Sequence, residues 1–321
     1  MSLKIEDKNL AESMETQRKY VGVLSGKGGV GKTTLAASIL ALAYKDPDIN
    51  PIALDCDVDA PNLALLLPPE NEEYVNKKKV FATLKAEFLE NKCSQCKKCI
   101  NEHFCEFRAL RWNDEKNYPE IDYIACEGCG ACKVLCPTHA FDIKPVKSGE
   151  IISYKTELGF ELIYGQTRLG STTSGKLVSD VKEAVKGLKT FDSSNLIIID
   201  GPPGIGCPVI ATFAGLDYVI FITEPTPSGL HDLERAISVA QQFNIPYGII
   251  INKSDVINDF KDDFLNSIRN ADHPIIGEIP VDFSIPKAMS FSEPVVDFAP
   301  SSKASESIKN IYNSLKKILW N

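Results

Sequence analysis

Short runs of β-branched and apolar residues recur along the chain, separated by segments of helical period. Tyr20–Ser25 (YVGVLS) has the pattern of a buried strand; a glycine loop follows, then an apolar helix from about Thr33 to Tyr44. The runs at 51–57 (PIALDCD), 196–202 (LIIIDGP), 217–224 (DYVIFITE) and 247–253 (YGIIINK) are further strands. Helical patterns such as SGKLVSDVKEAVKGLK and SGLHDLERAISVAQQF lie between them. This alternation predicts an α/β fold, a mostly parallel sheet flanked by helices on both faces.

The rhythm stops after Leu67, where PPENEEYVNKKK brings prolines and charge, and resumes near Ile151. The interval is cysteine-rich and short-looped. It predicts a small α+β domain over 75–147, inserted into a discontinuous host domain of 20–74 and 148–321, behind a polar tail over 1–19. The interval also repeats itself once, CSQCKKCINEHFCEFRAL being echoed by CEGCGACKVLCPTHAF.

Charge sharpens this division. The 321 residues carry a net charge of −8, yet Val75 to Lys147 holds 13 lysines and arginines against 10 acidic residues, a basic insert in an acidic host. The overall sign disfavours a nucleic-acid partner. The longest apolar stretch, Leu35 to Ala43, is far shorter than the roughly 20 residues that span a bilayer. No basic, apolar, small-residue signal sequence opens the chain, so a cytoplasmic location without a membrane partner is expected. Eight of the ten cysteines lie in two tight groups, which points to metal ligation over disulfides.

Gly26-Lys27-Gly28-Gly29-Val30-Gly31-Lys32-Thr33 satisfies G-x-x-x-x-G-K-[ST] directly after a strand and at the start of a helix. Backbone N–H groups from Gly26 to Thr34 would close around phosphate oxygens at the positive end of the helix. Lys32 would neutralise the outer phosphates and the Thr33 hydroxyl would hold Mg²⁺. LIIIDGPPGIG ends a buried strand on Asp200, a carboxylate suited to the same metal, with Gly204 in the following switch.

The string SGKGGVGKTT resembles the deviant Walker A motif of the MinD/Mrp/nitrogenase-iron-protein superfamily of P-loop ATPases. The resemblance implies ATP hydrolysis by a homodimer in which Lys27 reaches the partner's nucleotide, as an arginine finger does, an effect worth on the order of 10³ to 10⁵ in rate. A solvated loop lysine is the plainer alternative. In LDCDVDAPN, the family's D-x-D pattern makes Asp57 the group that orients water or metal-bound water, with Asp55 the weaker candidate and Asp59 solvated. Asn252-Lys253-Ser254-Asp255 matches the N-K-x-D string by which many GTPases read guanine, so GTP stands as an alternative. The superfamily instead sets an asparagine at this strand end against adenine. GEIPVDFSIPKAMSFSEPV further resembles its signature, with Pro280 beside the base and Ser292 where glycine is usual. ATP is the expected nucleotide.

Cys126-x-x-Cys129-x-x-Cys132-x-x-x-Cys136-Pro137 is the bacterial ferredoxin run, in which three thiolates wrap one cubane and the fourth points to a neighbouring cluster. The upstream copy reads Cys93-x-x-Cys96-x-x-Cys99, then Cys105 after five residues, with Glu106 in place of proline. Because EFRAL aligns with PTHAF, Cys105 is kept as a ligand and the extra residues are read as a bulge. The resemblance to two-cluster ferredoxins implies crossed ligation. Cys93, Cys96, Cys99 and Cys136 would hold one 4Fe-4S cluster, and Cys105, Cys126, Cys129 and Cys132 the other. Structural zinc is the alternative, although it favours C-x-x-C pairs set apart by a longer spacer. Gly128 and Gly130 face Gln95 and Lys97 in the first copy, so the two clusters need not be isopotential.

Cys56 fits packing on its strand. Cys207 stands seven residues after Asp200, the spacing of a bridging-cluster cysteine in the nitrogenase iron protein, but its second such cysteine and the C-x-x-C of Mrp/Nbp scaffolds are missing. His103, His139, His231 and His273 form no metal spacing. A C-terminal stripe at 308, 311, 312, 315, 318 and 319 predicts an amphipathic helix packed back on the sheet, with a membrane-targeting helix like that of MinD as the alternative. The expected function is an ATPase that couples nucleotide state to electron transfer through two 4Fe-4S clusters to a redox or iron–sulfur protein partner. Its rivals are a cluster carrier or assembly ATPase of Mrp/Nbp type and a nucleotide-dependent positioning or redox-sensing switch.

Overall fold

The computed structural model describes residues 18–168, 174–256 and 260–320, so residues 1–17 of the expected tail lie outside it. The chain divides into two compact units, one of Lys78–Glu150 with Thr167–Leu177 and the other of the remaining segments. This division starts and ends three residues later than the cysteine-rich interval suggests. Ser148 explains the later end, since its N–H donates to Val80 O at 2.8 Å and its hydroxyl accepts from Ala82 N at 3.0 Å.

In the first unit, β1 (Lys19–Ser25), β2 (Pro51–Asp55), β9 (Glu161–Thr167), β10 (Leu196–Pro203), β11 (Tyr218–Thr223), β12 (Tyr247–Asn252) and β13 (Ile275–Ile279) run parallel in the order β13-β12-β11-β1-β10-β2-β9. The strand β8 (Gly149–Lys155) follows beyond β9, and β3 (Asn76–Val80) leads the chain into the second unit. The central strands are buried on both sides, which is why they read as continuous Val/Ile/Leu runs. Neither β9 nor β13 stood out in the sequence, one being interrupted by polar residues and the other only five residues long.

The helix Lys32–Lys45 is buried around most of its circumference, consistent with its Ala/Leu/Ile composition. The helix Lys303–Trp320 buries Ile308, Ile311, Tyr312, Leu315 and Leu319 and lies against β13 and the helix Lys32–Lys45. Its polar face is fastened too: Asp46 accepts from Tyr312 OH at 3.0 Å and from Lys316 Nζ at 2.7 Å. Among the described residues no helix is long and apolar enough to cross a membrane.

The second unit holds two antiparallel pairs, β4 (Thr83–Phe88) with β7 (Phe141–Val146) and β5 (Leu110–Asn113) with β6 (Tyr118–Ile121). Short helices at Lys98–Asn101 and Ala131–Leu135 carry part of the cysteine runs. Three cysteines, Cys126, Cys132 and Cys136, belong to its buried cluster of eight residues.

Candidate nucleotide site and paired cysteine sites

Parallel strands deliver their C-terminal ends to one edge of the sheet, where a doubly wound fold places its ligand. β1 ends in the phosphate loop, and two backbone features force glycine there. Gly31 caps the helix Lys32–Lys45 at φ 99, a left-handed conformation. At Gly26 any Cβ would run into the backbone of Asp232. The Leu35 N–H already donates to Gly31 O at 3.0 Å, while Lys32 is itself buried. The loop borders a cavity of about 760 Å³ whose walls include Gly28, Gly29, Gly31, Lys32, Thr33, Thr34, Asp57, Asn252 and Pro280. The structure therefore brings most of the sequence-derived nucleotide residues to one space.

Lys27 turns away from that loop. Its amino group lies 3.7 Å from Glu224 Oε2 and 3.4 Å from Ser228 Oγ. Lys253 Nζ binds the other oxygen of Glu224 at 2.7 Å, so one carboxylate holds both lysines. Sequence reasoning missed Glu224, although its place immediately after the apolar run of β11 was a signal.

The acidic residues divide by role. Thr33 Oγ1 donates to Asp200 Oδ2 at 2.6 Å, and Asp200 Oδ1 is buried without a hydrogen-bond partner. Burial lifts the Asp200 carboxyl to about 7 against the opposing pull of the Thr33 hydrogen bond and Lys32. An orphaned, buried carboxylate oxygen beside a threonine hydroxyl suits a divalent cation. Asp55 is the cross-strand partner of Asp200, but its oxygens accept the N–H groups of Asp57 and Leu63, both at 2.9 Å. It shapes the loop after β2, and burial holds its carboxyl well above the usual range. Asp57 lines the cavity, while Asp59 is exposed. Cys56 is buried between them, and its N–H donates to Asp200 O at 2.8 Å.

On the base side, the Asn252 carboxamide donates to Val30 O at 2.8 Å and accepts from Lys253 N at 2.9 Å, pinning the phosphate loop to β12. Asp255 is exposed, and its carboxylate accepts from Val281 N at 2.7 Å. Ser292 has φ 57, a left-handed backbone that accounts for glycine being usual at this position. Leu65, Val281, Phe283 and Met289 form an apolar rim to the cavity, Phe283 being 79% exposed. Cys207 is exposed at the start of the helix Cys207–Phe213.

In the second unit the eight clustered cysteines line two separate cavities. One is bordered by Cys105, Cys126, Cys129 and Cys132, the other by Cys93, Cys96, Cys99 and Cys136. The repeat is visible in the backbone. Gln95 and Lys97 have φ 56 where Gly128 and Gly130 have φ 63 and 83. Arg108 and His139 are left-handed alike, at φ 53 and 52. After each, an alanine N–H reaches back to sulfur: Ala109 to Cys105 Sγ and Ala140 to Cys136 Sγ, both at 3.3 Å. Cys105 thus repeats the local geometry of Cys136, and the extra residues are taken up around His103, itself left-handed at φ 51. Burial and neighbouring cysteines push the thiols of Cys99 and Cys132 up to about 11. Four sulfurs facing one space with backbone N–H donors aimed at them fit an iron–sulfur cluster. Among the described residues no three His, Cys, Asp or Glu side chains are grouped to hold a single metal ion.

A phosphate loop after the central strand of a parallel sheet, with a buried lysine and a Thr–Asp pair beside it, defines a P-loop nucleotide-binding α/β protein. Residues 21–295 match the CobQ/CobB/MinD/ParA nucleotide binding domain, and the chain belongs to that family. It is 38% identical over 303 residues to the uncharacterized protein MJ0578 of Methanocaldococcus jannaschii, covering 93% of this chain and 97% of that one. It is 26% identical over 322 residues to the iron-sulfur cluster carrier protein of Pyrococcus horikoshii, covering 95% and 89%. The cell division ATPase MinD of Pyrococcus furiosus shares the fold with a TM-score of 0.56 at 16% identity, covering 94% of this chain and 99% of that one.

Proposed function

We propose that the chain hydrolyses ATP and couples its nucleotide state to electron transfer through two 4Fe-4S clusters held in a ferredoxin-like insert. The observation that carries this reading is the partition of eight cysteines between two cavities, four to each, in a chain that also bears a complete phosphate loop. In the nucleotide site, Thr33 and Asp200 would hold Mg²⁺, Lys32 would neutralise phosphate charge, and Asp57 would orient the attacking water. The metal supplies charge compensation at the phosphates. Asp255 does not line the cavity and its carboxylate is engaged by Val281 N, which favours adenine over guanine. The apolar rim of Leu65, Phe283 and Met289 suits a second copy of the chain, whose Lys27 would leave Glu224 to enter this site.

In the insert, Cys93, Cys96, Cys99 and Cys136 would hold one cluster and Cys105, Cys126, Cys129 and Cys132 the other. The clusters supply one-electron chemistry at low potential. The protein contributes thiolate ligands, the N–H···S bonds of Ala109 and Ala140, and burial. The second reading is a cluster carrier, favoured by the similarity to the Pyrococcus carrier protein along most of both chains.

Anaerobic purification tests the proposal. About eight irons and as many sulfides per chain are expected, with ATP turnover that is lost in Lys32→Ala and electron delivery to an acceptor protein that changes between ATP and ADP. Zinc in place of iron, or electron delivery indifferent to nucleotide, overturns it. Rapid cluster passage to an apo-acceptor without electron delivery selects the carrier.

A further inference from the structure

We infer that Lys85 is a buried positive charge held on the Cys126 backbone, behind the lining of the second cysteine site, raising the reduction potential of the cluster proposed there and leaving the other unmoved. This rests on the cluster reading above. Lys85 lies on β4 and is only 4% exposed. Its amino group donates to the carbonyl oxygen of Cys126, and the N–H of the next residue, Ala86, donates to Cys126 Sγ at 3.4 Å.

A lysine is almost never this buried without compensation, because moving an ammonium group out of water costs several kcal/mol. Among the described residues no carboxylate pairs with Lys85. One carbonyl is a weak return for a full charge, whereas a site of four thiolates that gains another negative charge on reduction is a strong one.

The other cysteine site has no equivalent. Its lysines, Lys97 and Lys98, border the cavity from the surface. Lys97 is committed to Asp114 at 3.5 Å and to the Trp112 ring at 4.9 Å. Water and salt screen such charges, while an interior charge keeps its field. The backbone donors do not distinguish the two sites, since Ala109 and Ala140 serve them with matching N–H···S bonds. Lys85 is therefore a buried charge that the first site lacks. Reduction would add one electron from dithionite to a bound cluster, and the Lys85 ammonium would favour the state that has gained it.

The experiment uses the full chain, purified anaerobically, with iron and sulfide counted before a dithionite titration followed by electron paramagnetic resonance. Lys85→Gln and Lys85→Met remove the charge, and Lys85→Arg keeps it. In the neutral variants the reduced-to-oxidised ratio of one cluster at fixed potential should fall at least tenfold, which is 59 mV for a one-electron couple. The second cluster should stay where it was, and Lys85→Arg should match the parent at both. If both neutral variants instead lose half of the iron, Lys85 supports the site and does not tune it, which overturns the inference. Unchanged potentials in fully loaded Lys85→Gln, or half the iron lost in Lys85→Arg as well, overturns it. Parent protein without two clusters instead overturns the cluster reading, a result visible in the iron count before any titration.

Discussion

The nucleotide unit and the cysteine unit solve the problem of a core differently. In the first, β1, β10, β11 and the helix Lys32–Lys45 bury a continuous set of Val, Ile, Leu and Ala side chains, and the phosphate cavity is an addition at their edge. In the second, Cys126, Cys132 and Cys136 stand inside the core beside Ala86, Phe104 and Phe141. Removing a ligand from the first leaves a packed sheet, whereas the second, without the clusters proposed for it, would have thiols where hydrocarbon should be. Binding of the clusters proposed for this unit would add to its folding energy, because the ligands are brought together only in the folded chain.

The sharpest way to break this contrast is to strip iron with a chelator under anaerobic conditions. Hydrogen exchange over 93–136 should then rise to that of an unfolded chain, while β1, β10 and β11 keep their protection. Uniform protection in both units would sink the contrast. Next in size, Lys32→Ala should lower ATP turnover by on the order of 10² to 10³ and leave the iron count untouched. Loss of iron in that variant would show that the units do not fold independently.

Asp200 gives a smaller, pH-dependent effect. Its carboxyl is raised to about 7 by burial. A carboxyl with a higher pKa folded than unfolded binds more protons in the folded chain between about pH 4 and 7, so nucleotide-free stability falls as pH rises through that window. Asp200→Asn should therefore be the more stable protein at about pH 8, by on the order of 4 kcal/mol, and should match the parent near pH 4. Denaturant midpoints measure this, and Mg²⁺-nucleotide should stabilise the parent alone. A midpoint difference that ignores pH would exclude the buried carboxylate as the cause. The smallest change is Ser292→Gly, expected to gain about 1 kcal/mol by relieving a left-handed serine, with iron content and cluster spectra unaltered.

The strand, loop and helix around Lys32 were legible because their signal is contiguous: an apolar run, a glycine string and a periodic helix between Lys19 and Lys45. The acidic residues were harder. Asp55, Asp57 and Asp59 look alike in sequence, and only the bonds from Asp57 N and Leu63 N to Asp55 reveal which carboxylate is spent on the backbone. For Cys105, the alignment of EFRAL with PTHAF anticipated a geometric match that spacing alone did not. Lys85 and Glu224 had no motif. Their partners lie 41 and 197 residues away, at Cys126 and Lys27, and sequence periodicity does not register contacts of that range. Thr167–Leu177 escaped in the same way, because membership in a unit is decided by contacts and not by the cysteine pattern.

The two cysteine loops differ in how readily they let go. Gly128 occupies its left-handed turn without strain, and its missing side chain admits the Leu84 carbonyl. Gln95 and Lys97 hold the same twist with side chains attached, at on the order of 1–2 kcal/mol each. In the proposed cluster-bound form that tension would be restrained by the tethering of Cys93, Cys96 and Cys99 to a shared centre, and it would work toward opening once they are released. Dismantling of the insert should accordingly begin in the earlier loop, with the glycine-bearing one the last to unwind.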